Sequence, residues 1–130
     1  MRPVFSRSAR AVYLDREAAA ETLRRLAARL VATDPTVRAV VLFGSLAGGR
    51  GGPTSDADLL IVLNSSPHPL RRDRTPALLA GLRGAPLPLH LHAYTVAELE
   101  RALSEGERLA TTAAAGIVLA GALPMQRLPA

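Results

Sequence analysis

VRAVVLFGSLAGGRGGPTSDADLLIVL, residues 37–63, decides the fold of this chain. Val37 to Phe43 is apolar and β-branched, the signature of a buried strand. Leu59 to Leu63 is continuously apolar with no polar alternation, which predicts a central strand covered on both faces. Between the two runs, Gly44-Ser45 turns the chain. Ser45 is in position to begin a short helix, and a glycine-rich loop follows from Gly48 to Pro53. Asp56 and Asp58 then open the second run.

These residue types at this spacing carry chemistry. Residues two apart on a strand point to one side, so Asp56 and Asp58 can converge on one cation or a close pair. Magnesium takes oxygen ligands and keeps waters and substrate phosphates in its shell. A lone Asp-x-Asp reads as a turn before a strand, and a lone Gly-Ser as ordinary turn chemistry. Together they differ: the glycine admits close backbone approach, and N–H groups at a helix start hold phosphate oxygens. A Gly-Ser turn after one buried strand, facing Asp-x-Asp at the start of the next, is the layout of a triphosphate site. Ser45 as a hydrolase nucleophile fails on context, because no Gly-x-Ser-x-Gly elbow surrounds it.

Outward from this stretch, the chain alternates. A helix is expected from Asp15 to about Thr33, where Ala19, Leu23, Leu26, Ala27 and Leu30 share one face and Asp34-Pro35 stops it. Residues 1–12 are expected to be irregular. Arg71 to Leu82 reads as a helix interrupted near Pro76. Leu87 to Tyr94 alternates as a strand, with His90, His92 and Tyr94 on one side. Thr95 and Glu98 have capping-box spacing and predict a helix start. A final helix is expected from Glu107 to Leu119. The pattern predicts an α/β or α+β fold, a single domain over residues 1–130 with three to four strands and helices packed against them.

Composition sets the outer bounds. The chain has 130 residues, 48% of them apolar and 21% charged, which fits a globular domain with one core. All 16 basic residues are Arg; with so much Ala, this reads as compositional bias rather than a set of phosphate forks. The net charge of +5 attracts nucleotides, but two Tyr and two Phe are too few for extended nucleic-acid binding by stacking. Cysteine is absent, which excludes thiolate chemistry. The basic first residues lack the apolar core of a signal peptide, and Ala113 to Leu123 is too short to span a bilayer. A cytoplasmic protein with no membrane partner is expected.

Leu42-Phe43-Gly44-Ser45, the eleven-residue step to Asp56, and Ser55-Asp56-Ala57-Asp58-Leu59 resemble the signature of the DNA polymerase beta-like nucleotidyltransferase superfamily, in particular its minimal nucleotidyltransferase branch. The likeness extends to the preceding helix, to Tyr94-Thr95 followed by Glu98-Leu99, and to Gly116-Ile117 with Leu119. It implies the nucleotidyltransferase fold, a small mixed sheet flanked by helices. It also implies transfer of a nucleoside monophosphate from a nucleoside triphosphate, ATP being the expected donor, to a hydroxyl acceptor. By that likeness Gly44 and Ser45 hold the triphosphate, while Asp56 and Asp58 bind magnesium, with manganese as the alternative. Some minimal members work beside a small helical HEPN-type partner in toxin–antitoxin pairs. A catalytically weak binding module of that antitoxin-like kind is the competing expectation.

Two departures stand out. The family commonly places arginines just after Gly-Ser, where this chain has Leu46 and Gly48, so Arg50 is the substitute at a different spacing. The third family carboxylate falls at His90. A neutral imidazole is a general base suited to pH 7 but a poor magnesium ligand. His90 therefore has three readings: a base beside Asp56 and Asp58, a donor with His92 to a transition metal, or one of two histidines lining a half-exposed strand. Arg71, Arg72 and Arg74 read as a solvated helix face, and Tyr94 as a packed strand-end aromatic.

Overall fold

The two apolar runs become β1 (Val37–Phe43) and β2 (Ala57–Leu63), which pair antiparallel. A third strand, β3 (Leu89–Thr95), joins β2 in parallel, and β4 (Ile117–Gly121) joins β1 antiparallel. The sheet is mixed and ordered β3-β2-β1-β4. The computed structural model describes residues 4–44, 47 and 56–124, with side chains described from Glu17 onward. Ser45, Arg50 and the short helix expected at Ser45 lie outside the described residues.

As inner strands, β1 and β2 have two faces to bury, which is why neither alternates. Val40, Leu42, Leu59 and Ile61 face α1 (Val4–Thr33) and α2 (Thr75–Gly81), packing on Leu23, Leu26, Leu30 and Leu78. Ala39, Val41, Leu60 and Val62 face α3 (Val96–Ser104) and α4 (Arg108–Ala114), packing on Leu99, Ala102, Ala110 and Ala113. Each Leu sealed this way contributes roughly 2 kcal/mol. An irregularity between Val37 and Ala39 moves β1 from one parity to the other, so two residues of even spacing serve opposite cores.

Two sequence expectations are corrected. The first helix begins at Val4 rather than Asp15, so most of the segment expected to be irregular is helical. No glycine or proline interrupts residues 4–33, and Ala, Leu, Arg and Glu supply strong helix propensity throughout. The final helix ends at Ala114, and Ile117–Gly121 is a strand rather than the end of that helix. A five-residue apolar run has no period that separates helix from strand, and the unfilled edge of β1 takes it.

Other boundaries follow local chemistry. A 3₁₀ turn at Arg71–Arg74 passes into α2 with Pro76 in its first turn, where a missing N–H costs nothing. The Thr95 side chain accepts from Glu98 N–H and the Glu98 carboxylate accepts from Thr95 N–H, completing the capping box. Thr95→Ala should therefore lower stability by about 1 kcal/mol in urea unfolding, with the fold unchanged.

Candidate active site

Where β1 ends, Gly44 turns the chain at a φ of +84°, a conformation that disfavours any residue with a Cβ. A Cβ there would lie 2.5 Å from Asp58 Oδ2, so the turn backbone rests directly on that carboxylate. The register explains the meeting. Asp58 stands opposite Phe43 on one side and opposite His90 on the other, at the center of three strand ends. Asp56 precedes it by one pleat repeat, and both carboxylates reach the same histidine.

The distances define a tight polar cluster. His90 Nε2 is 3.0 Å from Asp56 Oδ2, and His90 Nδ1 is 3.7 Å from Asp58 Oδ1. His92 Nε2 is also 3.7 Å from Asp58 Oδ1. The His92 ring lies 5.4 Å from the Phe43 ring at a 55° tilt, which seats the imidazole against β1. His90 is the most open of the four, with 62% of its side chain exposed against 30% for Asp58.

The structure thus brings Gly44, Asp56, Asp58 and His90 together, while Ser45 and Arg50 lie outside the described residues. Among the described residues, no group of three or more His, Cys, Asp or Glu side chains is arranged to hold a metal ion. Two carboxylates nonetheless suit magnesium delivered with a nucleotide, since that ion is commonly held by one or two carboxylates plus phosphates and water. Asp56 and Asp58 fit that role; they do not make an all-protein cage.

Arg74 is a correction. It is buried rather than solvated, with 4% exposure. Its guanidinium donates to both Glu98 carboxylate oxygens, to His68 O and to Ala93 O. The hydrogen bonds from Arg74 hold the Glu98 carboxyl at about 2, far below its ordinary value. Only Arg71 and Arg72 of that cluster are exposed, and the Arg71 guanidinium sits 4.4 Å over the Tyr94 ring. Tyr94 is the packed strand-end aromatic expected; its hydroxyl donates to Glu107 at 2.8 Å, and burial pushes its pKa up. A cavity of about 460 Å³ near Tyr94, Arg101 and Glu105 lies at the far end of β3 from His90 and belongs to this scaffold rather than to the acidic cluster.

Among the described residues, no helix is long and apolar enough to cross a membrane. None of the curated proteins matches this sequence. A crystal structure of a Sulfolobus solfataricus protein described as a “putative nucleotidyltransferase” superposes with a TM-score of 0.54 at 21% identity, covering 68% of this chain and 78% of that one. This likeness establishes the fold: the mixed sheet with helices on both faces is the nucleotidyltransferase fold. Residues 23–111 match the nucleotidyltransferase domain family, a span that contains Gly44, both aspartates and both histidines. With most of its length and all of the acidic cluster inside that match, this chain belongs to the nucleotidyltransferase domain family.

Proposed function

We propose that this protein transfers a nucleoside monophosphate from a nucleoside triphosphate, ATP in the first instance, to a hydroxyl acceptor. The observation that carries this reading is the packing of the Gly44 turn onto Asp58, with Asp56 and His90 at the same strand ends. Gly44 and Ser45 would cradle the phosphates, with Arg50 as a further anion contact. Asp56 and Asp58 would hold magnesium, or manganese in its place, which supplies charge neutralisation at the reacting phosphates.

The remaining work falls to the chain itself. The acceptor oxygen attacks the α-phosphorus as the bond to the pyrophosphate oxygen breaks, so nucleotide transfers and pyrophosphate leaves. The hydroxyl proton passes to His90 Nδ1, since Nε2 lies within hydrogen-bond distance of Asp56, and the ring is exposed.

Incubation with α-labelled triphosphate and candidate acceptors provides the test. Asp56→Asn and Asp58→Asn should each lower label transfer by at least about 100-fold without altering thermal unfolding. Transfer that survives both changes refutes the proposal. Nucleotide binding with no transfer, together with co-purification of a small helical protein, would instead identify the antitoxin-like binding module.

A further inference from the structure

Asp58 uses its two carboxylate oxygens differently. Oδ1 lies 3.7 Å from nitrogens of both His90 and His92, whereas Oδ2 faces the Gly44 turn. Asp56 commits Oδ2 to His90 Nε2 at 3.0 Å. Asp56 thus turns one oxygen to imidazole and has Oδ1 left for a cation, while Asp58 Oδ1 lies beyond hydrogen-bond distance of both histidines and can share it. His90 has Nε2 within hydrogen-bond distance of Asp56, whereas Nδ1, 3.7 Å from Asp58 Oδ1, lies beyond it.

We infer that this site takes one divalent cation with its nucleotide rather than a pair, held by Asp56 and Asp58, with His90 Nε2 bracing the Asp56 carboxylate. The inference rests on the nucleotidyltransferase reading for the identity of the ligand. Its physical basis is the donor count. Two hard dications about 4 Å apart need bridging carboxylate oxygen plus further oxygen donors to offset their mutual repulsion. Among the described residues, the other titratable side chains in reach of these two aspartates are imidazoles, which suit softer metals and carry no negative charge. Hydrogen-bonded partners of ligating carboxylates commonly fix their orientation, and His90 Nε2, 3.0 Å from Asp56 Oδ2, is placed to do so.

The experiment is a titration of the full chain with Mn²⁺, using one equivalent of a non-hydrolysable triphosphate and reading bound manganese by electron paramagnetic resonance. The native chain should take up one Mn²⁺, and pulsed spectra should lack nitrogen coupling from a directly bound imidazole. Asp58→Asn should abolish the protein-dependent signal. His90→Asp, which supplies a further carboxylate, should raise the uptake to two, and His90→Gln should keep it at one. Two ions on the native chain, strong imidazole nitrogen coupling, or no uptake beyond that of free nucleotide would each overturn the inference. The measurement is independent of turnover: one bound Mn²⁺ with no label transfer defeats the enzymatic reading alone, whereas transfer with two bound ions defeats this inference alone.

Discussion

Gly44→Ala is expected to lower nucleotidyl transfer by at least about 100-fold and to cost about 2 kcal/mol of stability, the largest activity loss foreseen for a residue without a functional side chain. Two effects combine. At a φ of +84° an alanine is strained by roughly 1 kcal/mol or more. Its Cβ would also stand 2.5 Å from Asp58 Oδ2, so either the carboxylate rotates or the ends of β1 and β2 separate. Both movements displace the oxygen that faces the turn. Gly106→Ala is the control, because Gly106 has a φ of +71° but open space around it. That variant should show the backbone cost in thermal unfolding and retain full label transfer. Equal activity losses in the two variants would show that the Gly44 contact has no bearing on the chemistry.

Glu98→Ala should produce the largest loss of stability, about 3 kcal/mol in urea unfolding. The Arg74 guanidinium is buried, and removing its carboxylate leaves a cation away from water with only the carbonyls of His68 and Ala93. Arg74→Met combined with Glu98→Ala should cost less than the sum of the single changes, since no charge is then stranded. An additive double mutant would show that the pair is not coupled. Acid provides a second readout. The folded Glu98 carboxyl is held at about 2, against an ordinary value of 4.5. The depressed carboxyl contributes stability that is fully present above about 4.5 and is lost as pH falls from there toward about 2. About a third of the Glu98 side chain is exposed, so solvent screening reduces that contribution to roughly 1–2 kcal/mol. Glu98→Gln should flatten the acid limb of the stability profile over that window.

Much of this molecule was legible in one dimension. The run Val37–Phe43, apolar but for Arg38, marked a buried strand and the unbroken run Leu59–Leu63 one covered on both faces, and the two became the inner pair of the sheet. The Thr95–Glu98 spacing marked a helix start, because both halves of a capping box lie within one turn. Gly44 and Asp58 were legible as neighbours for a related reason: a turn closing one strand and an acid opening the next meet when the two strands pair antiparallel. Each of these features depends on interactions between residues close in sequence or on a period that burial imposes.

Tertiary structure decided the rest. Nothing near Arg74 in sequence distinguishes it from Arg71 and Arg72, and its burial depends on Glu98 and on the carbonyl of Ala93, both brought in by other elements. Ile117–Gly121 became a strand only because β1 offered an edge, since five apolar residues suit helix and strand equally. The opposition of Asp58 and His90 depends on the parallel register of β2 and β3, which is set where the crossover helix packs. Local sequence encodes period, propensity and caps; register and charge partners arise from packing between distant segments, and a carboxylate oxygen acquires its role only when that packing fixes which neighbour it faces.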